Sequence, residues 1–304
     1  MRVLIAGGTG MIGTALTRSL LADGYSVAVL TRDPATARLP EGASAIRWDA
    51  RTPAGLADEL SRVDAVVNLV GERLSKWPWT KAQKQRFWSS RVDAGRALAE
   101  AIRLASPRPK VLLQASGVNY YGPHGPELVS EADPAGSDFL AQLCVAWEAS
   151  TQPVEALGVR HAVIRTAVVL SAKEGILPLM MLPVKLFAGG PLGGGKFGLP
   201  WIHLADEVAA IRFLLENEKA SGAFNLTAPT PTSSGDFLRA VAKSLHRPYW
   251  LPVPGFALRL LLGEMSVLLL EGQFLRPQRL EEIGFRFRYE TIGGTLDALL
   301  KVKK

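Results

Sequence analysis

The feature that most constrains the fold is a glycine-rich turn near the N-terminus. The sequence predicts a strand at Val3–Ala6 and a helix at Met11–Asp23. The turn joining them reads Gly7-Gly8-Thr9-Gly10-Met11-Ile12-Gly13. The first glycine permits a tight turn, Gly10 lets the backbone approach a pyrophosphate, and Gly13 lets the helix pack close to the strand. We therefore expect a dinucleotide site at the helix N-terminus, with a ligand-free turn as the alternative.

Apolar runs and helical patterns alternate over the first two thirds of the chain. Further strands are predicted at Ser26–Thr31, Ala65–Leu69, Val111–Ala115 and Ala162–Arg165, and further helices at Lys81–Leu104 and Gln142–Leu157. Strands that are apolar throughout and separated by helices are typical of an α/β protein whose parallel sheet is covered on both faces.

The character of the sequence changes after Ala228. Prolines at positions 229, 231, 248, 252 and 254 punctuate this tail, and helices are predicted at Ser234–Leu245, at Phe256–Leu270 and shortly after Pro277. We expect a dinucleotide-binding domain over residues 1–228 and a small helical, substrate-side domain over residues 229–304. The run Gly189–Gly195 predicts a mobile loop, either beside the substrate or on the plain surface.

Composition excludes several classes of protein. Of 304 residues, 48% are hydrophobic and 21% charged, which excludes a wholly disordered chain. The single cysteine, Cys144, cannot form an intramolecular disulfide or a cysteine-based zinc site. The net charge of +7 comes from scattered basic residues, apart from Lys301, Lys303 and Lys304. We therefore expect no nucleic-acid partner.

The sequence shows neither a recognisable signal peptide nor a stretch that predicts a membrane span. The chain opens with Met1-Arg2 and no signal peptide is recognisable. The most apolar later stretch, Ala257–Leu270, contains Arg259 and Glu264 and is shorter than the ~20 residues of a membrane span. We expect a soluble cytoplasmic protein without a membrane segment.

The end of the second predicted strand bears on the choice of dinucleotide. It reads Leu30-Thr31-Arg32-Asp33. A site for NAD places an acidic residue at this strand end, where it accepts from the adenosine ribose. Here Thr31 occupies that place, and the Arg32 guanidinium suits a 2′-phosphate. The sequence favours NADP(H), whereas an inward Asp33 would serve NAD and a solvated Arg32 would serve neither.

With these residues in place, the chain resembles the extended and atypical short-chain dehydrogenase/reductases. More narrowly, it is similar to the epimerase family proteins with a C-terminal domain of unknown function, sometimes labelled cell-division inhibitors. The motifs that carry the likeness span the chain and include Gly7 to Gly13, Val67-Asn68-Leu69-Val70-Gly71-Glu72, Ser90-Arg91-Val92, Gly117-Val118-Asn119-Tyr120-Tyr121-Gly122, Trp147-Glu148, Arg165 to Leu170, Trp201-Ile202-His203 and Leu270-Glu271-Gly272-Gln273.

The resemblance implies a Rossmann-type, doubly wound sheet with the cofactor across the strand C-termini. It places Asn68, Leu69, Val70 and Gly71 at the end of the fourth strand, lining the adenosine side. It also implies that Asp49 ends the third strand and accepts from the adenine amino group, that Arg91 reaches back to the cofactor, and that Leu170 lies near the nicotinamide. The alternatives are that Asn68 caps a turn, Arg91 is a surface charge and Leu170 is core.

The chain departs from the superfamily at its catalytic residues. Typical members use a Ser, a Tyr that exchanges a proton with the substrate, and a Lys four residues later that lowers the Tyr pKa and holds the ribose. Ser116 matches the Ser. In the register set by Glu148, Leu140 stands at the Tyr place and Cys144 at the Lys place. Neither side chain supports that chemistry.

Two tyrosines close to Ser116 are possible substitutes. Tyr120 and Tyr121 follow Ser116 by four and five residues, so either phenol can face the nicotinamide. We expect Tyr121 to be the acid, with a packed aromatic whose hydroxyl is satisfied as the alternative. Glu72 and His203 are further acid–base candidates, although a structural histidine is the simpler interpretation of His203.

Two classes of function follow. The first is an NADP(H)-dependent oxidoreductase or epimerase that acts on a small carbonyl or sugar-nucleotide-like compound. The second is a non-catalytic NADP(H)-binding sensor or regulator that has lost the Tyr-x-x-x-Lys pair. A role in cell division has no support in the residues themselves. The partner expected is a small-molecule substrate, and the chain is expected to be a monomer or a homodimer.

Overall fold

The computed structural model describes residues 1–300. Lys301, Lys303 and Lys304, the basic cluster noted in the sequence, lie outside the described residues. Eleven strands occur in the described part: β1 Arg2–Ala6, β2 Ser26–Thr31, β3 Ser44–Arg47, β4 Ala65–Asn68, β5 Val111–Gly117, β6 Leu128–Val129, β7 Arg160–Thr166, β8 Val168–Leu170, β9 Trp201–His203, β10 Gly222–Leu226 and β11 Phe274–Leu275.

Seven of these strands form one parallel sheet in the order β10-β7-β5-β4-β1-β2-β3. Ile5 pairs with Val29 on one side and with Val67 on the other, which puts β1 in the interior of the sheet, between β2 and β4. From β1 the chain builds outward through β2 and β3, then returns to build the other half from β4. This reversal creates the crevice in which Rossmann-type folds bind dinucleotides, at the carboxyl ends of the strands.

Twelve α-helices accompany the strands. They are α1 Met11–Ala22, α2 Ala57–Leu60, α3 Lys81–Trp88, α4 Ala94–Leu104, α5 Phe139–Thr151, α6 Leu177–Lys185, α7 Leu204–Glu216, α8 Ser234–Ser244, α9 Gly255–Leu262, α10 Val267–Leu270, α11 Gln278–Glu282 and α12 Ile292–Leu300. One π turn, Ser89–Asp93, joins α3 to α4, and single 3₁₀ turns follow β5, α5 and α9 at Val118–Tyr121, Gln152–Leu157 and Gly263–Ser266.

The sheet is covered on both faces, as the apolar strands predicted. Val3 and Ile5 point into one core, which α1 and α7 close with residues such as Leu16. Leu4 points into the other core, where α4 contributes Leu98. Alternation along one strand between two buried faces explains why the strand is apolar at every position.

Several predicted boundaries differ from the structure. The helix expected at Lys81–Leu104 is α3 and α4 with the π turn between them. The helix expected at Phe256–Leu270 breaks at Gly263, whose φ of +57° ends α9. The fourth strand ends at Asn68. β3 and β10 have no long apolar run, and α6 contains Pro178 and Pro183, which argue against a helix in a sequence pattern. The short helix predicted after Pro277 is α11.

The C-terminal helices pack on the sheet domain through a third core. This core combines Leu170, Leu177 and Trp201 with Phe237 of α8 and Leu296 of α12. The small sheet β6–β11 adds a second connection, since its strands come from opposite sides of residue 228. The two parts of the chain therefore share buried surface.

Candidate functional site

The glycine-rich turn leaves no space for side chains at two of its positions. Gly7 has a φ of +80°, and a Cβ there would lie 2.7 Å from the Leu69 carbonyl oxygen. A Cβ on Gly13 would lie 2.5 Å from the Gly7 carbonyl oxygen. The turn thus passes directly over the end of β4, as the glycine spacing predicted.

The first turn of α1 suits an anion. Its N-cap is Gly10, which makes no side-chain cap, and the turn contains no acidic residue. The backbone N–H groups that follow, on Met11 and Ile12, belong to the first turn, where an α-helix has no acceptors of its own. Thr9 is exposed in front of them. This cradle of backbone donors fits a pyrophosphate without any rearrangement.

The end of β2 carries one basic and one acidic side chain, Arg32 and Asp33. Arg32 is exposed and forms no ion pair within residues 1–300. The Asp33 carboxylate accepts from Ala35 N at 3.1 Å and Thr36 Oγ1 at 2.8 Å, and the Thr36 bond lowers the Asp33 pKa. Asp33 is therefore engaged in its own turn.

A second arginine at this place escaped the sequence reasoning. Arg47, the last residue of β3, pairs with Thr31 in the sheet register and is exposed. The strand that carries it has four residues and no buried apolar run, so nothing in the pattern revealed it. With Arg32, it makes the strand ends beside Thr31 a cationic corner of the crevice.

The remaining adenosine-side residues are held by their own loops. Asp49 lies two residues beyond β3, not at its end, and its carboxylate accepts from the backbone N of Arg51 and Thr52. The Asn68 side chain is buried, donates to Gln114 at 2.8 Å and accepts from Val70 N at 3.3 Å. This is the turn-capping arrangement, and it orients the backbone of the following residues, Leu69 to Gly71.

Arg91 is buried, so the surface-charge alternative is wrong. Its guanidinium donates to the carbonyl oxygens of Phe87 at 3.3 Å and Glu72 at 2.9 Å, and it lies 5.0 Å from the Trp147 ring centroid. Gly71 makes room for it, because a Cβ there would lie 3.1 Å from the guanidinium carbon.

The Arg91 guanidinium is not paired with a carboxylate in the described part of the chain. No carboxylate oxygen of residues 1–300 lies within 4.0 Å of it, and burial lowers its pKa to about 10, which leaves it charged at neutral pH. It sits in the π turn Ser89–Asp93, an irregularity that occurs often at functional sites. The Arg91 charge is held by two carbonyl oxygens and the Trp147 ring, and an anionic ligand beside the end of β4 would stabilise it further.

At the end of β5, Ser116 joins a buried charged network. Its Oγ donates to Glu148 at 2.7 Å, and the Arg165 guanidinium donates to both Glu148 oxygens at 2.9 Å. Sequence reasoning had treated Arg165 only as a strand end, although a charge closing an apolar strand was the available signal. The network fixes the position of the Ser116 hydroxyl.

The two candidate tyrosines have different surroundings. Tyr121 is fully buried; its hydroxyl donates to Asn225 at 2.7 Å and accepts from Arg165 at 2.9 Å. Burial raises its pKa to about 12. Tyr120 is partly exposed, and the Arg165 guanidinium carbon lies 3.4 Å from its ring centroid. The geometry favours the packed-aromatic alternative for Tyr121 and leaves Tyr120 as the accessible phenol.

The places of the missing Tyr and Lys are filled by buried, uncharged side chains. Leu140 is 3% exposed. A Cβ on Gly117 would lie 3.8 Å from the Cys144 sulfur, and burial raises the Cys144 pKa to about 11, so the thiol is neutral. Leu170 is fully buried in the C-terminal core, which favours the core alternative over contact with a cofactor.

The other acid–base candidates are engaged elsewhere. Glu72 accepts from Lys76 at 2.6 Å, which lowers its pKa. His203 caps α7 by accepting from Ala205 N at 2.9 Å and stacks on Tyr289 at 3.7 Å. Burial lowers the His203 pKa to about 4, so its ring is neutral at pH 7.

Within residues 1–300, no helix is both long and apolar enough to cross a membrane.

Comparison with known proteins agrees with this geometry. The sequence matches the NAD dependent epimerase/dehydratase family over residues 3–227 and a domain of unknown function, DUF1731, over residues 253–299. It is 38% identical to the epimerase family protein YfhF of Bacillus subtilis over 306 residues, which covers 100% of this chain and 99% of that protein. It is also 38% identical to the epimerase family protein ML0860 of Mycobacterium leprae, covering 97% and 94%.

Solved structures show the same fold. The human epimerase family protein SDR39U1 (isoform 2), determined with NADPH, is 32% identical, with a TM-score of 0.88 and 99% of both chains covered. A nucleoside-diphosphate sugar epimerase from Corynebacterium glutamicum is 31% identical with a TM-score of 0.80, and this chain spans 58% of that one. The seven-stranded parallel sheet is of the Rossmann type found in these proteins. It belongs to the NAD dependent epimerase/dehydratase family.

Proposed function

We propose that the chain is an NADP(H)-dependent enzyme of oxidoreductase or epimerase type, acting on a small carbonyl compound or the matching alcohol. The observation that carries the proposal is the placement of two features on one sheet edge. The phosphate turn follows β1, and the segment Ser116–Tyr120 follows β5, with only β4 between these strands. A dinucleotide laid across this edge reaches from one feature to the other.

The preference for NADP(H) rests on the cationic corner at the end of β2. Arg32 and Arg47 have no carboxylate partners within residues 1–300, and Asp33 is engaged by Thr36. A 2′-phosphate would find two guanidinium groups there, together with the Thr31 hydroxyl. The human structure with NADPH supports this assignment.

Tyr120 is the residue to which we assign the proton. When bound, the cofactor supplies the hydride, and the protein must supply a proton donor and orientation. The Tyr120 side chain is partly exposed, and the Arg165 guanidinium carbon, 3.4 Å from its ring centroid, holds the ring in place. Ser116 holds the reacting oxygen, and Arg91 provides the fixed positive charge that the missing Lys would have supplied.

The test compares the two tyrosines in a screen of carbonyl compounds followed by NADPH absorbance. Tyr120→Phe should lower kcat about 10²–10³-fold with NADPH affinity unchanged. Tyr121→Phe should lower kcat less than about 5-fold but destabilise the fold by about 1–3 kcal/mol, because buried Asn225 and Arg165 lose a partner. Unchanged turnover in Tyr120→Phe would contradict the assignment, and loss of turnover in Tyr121→Phe without destabilisation would restore Tyr121 as the acid.

A second function, a non-catalytic NADP(H)-binding regulator, is favoured by one observation. Leu140 and Cys144 fill the Tyr and Lys places with side chains that are buried and uncharged. This alternative predicts NADPH binding without oxidation by any carbonyl compound in the screen. Under it, Tyr120→Phe has no measurable consequence.

A further inference from the structure

A cleft of about 440 Å³ opens between the N-terminal end of α5 and the C-terminal substructure. Trp79, Phe139 and Leu140 form its wall on the sheet domain, and Val267 of α10 lies on the opposite wall. Because Leu140 stands at the Tyr place of the family register, this cleft lies where a substrate approaches the nicotinamide end. The lining next to the reaction site is therefore aromatic and aliphatic.

The charges of the cleft are largely paired. Its lining contains the carboxylates of Asp138, Glu264 and Glu271 and the guanidinium of Arg259. Glu264 forms an ion pair with Lys84, whose ammonium lies 4.8 Å from the Phe139 ring centroid. Arg259 lies 3.9 Å from Glu271, so its charge is already shared. One Asp138 oxygen caps α5 and the other is buried without a partner within residues 1–300.

The apolar lining continues past α10. Met180 of α6, Leu192 of the glycine loop, and Leu268 and Leu269 of α10 border a second, narrower space of about 40 Å³. The glycine loop is closely packed there, since a Cβ on Gly190 would lie 1.9 Å from the Leu251 carbonyl oxygen. Gly190 thus serves close backbone approach, which brings the loop that carries Leu192 against Leu251.

We propose, on the basis of the function proposed above, that the substrate is a neutral, largely apolar carbonyl compound or alcohol and that the cleft rejects nucleoside-diphosphate sugars. A diphosphate carries two negative charges and needs free cations or backbone donors. Here it would meet the Asp138 carboxylate and two cations that are already paired, Lys84 with Glu264 and Arg259 with Glu271. An apolar substrate instead gains free energy from burial against Trp79, Phe139 and Val267.

The experiment measures binding of two compounds to the NADPH-loaded protein. N-phenyl-1-naphthylamine, a neutral apolar fluorophore, is titrated by its fluorescence increase, and UDP-glucose by calorimetry. Val267→Glu should weaken binding of the fluorophore more than about 10-fold, because a charge enters the apolar wall. The matched control, Leu260→Glu, alters a side chain that is 87% exposed on α9 and should change binding less than about 2-fold.

UDP-glucose should bind the wild type with a Kd above about 1 mM. Glu271→Gln, which frees Arg259, should strengthen UDP-glucose binding about 10-fold. Equal fluorophore binding by Val267→Glu and Leu260→Glu would overturn the proposal of an apolar substrate. Binding of neither compound to the wild type would overturn it as well. Micromolar binding of UDP-glucose that Arg259→Ala abolishes would also overturn it. Failure of NADPH itself to bind, measured first, would instead overturn the proposed function.

Discussion

The glycine-rich turn Gly7–Gly13 and the residues at the end of β5 lie on the same edge of one sheet, but they place different requirements on the sequence. At the turn the requirement is on the backbone: a Cβ on Gly7 or Gly13 would meet atoms at 2.7 or 2.5 Å. At the end of β5 the requirement is on side-chain chemistry, which residues at other positions can supply. Leu140 and Cys144 replace the usual pair, while Tyr120 and Arg91 offer a phenol and a cation nearby. A site built from backbone tolerates no exchange, whereas a site built from side chains can be rearranged.

The largest effect should come from Gly13→Ala. The added methyl group would overlap the Gly7 carbonyl and force α1 away from the turn. We expect NADPH affinity to fall more than about 100-fold and the free energy of unfolding to fall by about 1–3 kcal/mol. Gly125→Ala is the control, because a Cβ there meets nothing within 4 Å. NADPH titration and urea unfolding are measured for both variants. Equal affinity and equal stability of the two would contradict the requirement for glycine at position 13.

Arg91→Met should lower NADPH affinity while leaving the free energy of unfolding nearly unchanged. The buried cation has no carboxylate partner, so its removal should change the free energy of unfolding by less than about 1 kcal/mol. It should weaken NADPH binding by about 2 kcal/mol, or about 30-fold, through lost charged hydrogen bonds. Arg91→Lys should recover part of that loss. A destabilised protein with normal NADPH affinity would show that Arg91 is only structural.

A smaller effect should appear in the pH dependence of stability. Glu207 is fully buried behind β7, accepts from Thr166 at 2.8 Å, and burial raises its pKa to about 8. Between pH 4.5 and 8 the folded state keeps this proton while the unfolded state loses it. Stability contributed by Glu207 therefore falls as pH rises through this window and is level above it.

Glu207→Gln removes that titration. Relative to this variant, the wild type should lose about 1–2 kcal/mol more unfolding free energy between pH 6.5 and pH 8. Urea unfolding at the two pH values measures the difference. Parallel behaviour of wild type and variant would show that Glu207 titrates normally in the folded protein.

The sequence predicted the backbone-built region well and the side-chain-built region less well. β1, the turn and α1 follow from local rules, since strand, glycines and helix are contiguous. Arg47 was missed because β3 has only four residues and no buried apolar run. The burial of Arg91 depends on Trp147 and Glu72, which are distant in sequence. Tyr121 and Tyr120 are adjacent, and only the folded chain shows that Asn225 and Arg165 engage the first.

Nicotinamide fluorescence measures whether the crevice is an NADP(H) site with Arg32 at the 2′-phosphate. NADPH and NADH are titrated side by side into wild type, Arg32→Ala and Arg108→Ala, the last an exposed arginine that precedes β5 at the opposite edge of the sheet. We predict tight NADPH binding that Arg32→Ala weakens about 10-fold. NADH affinity should be unchanged by Arg32→Ala, and Arg108→Ala should change the affinity for neither dinucleotide. Equal binding of both dinucleotides to all three proteins would contradict the NADP(H) assignment.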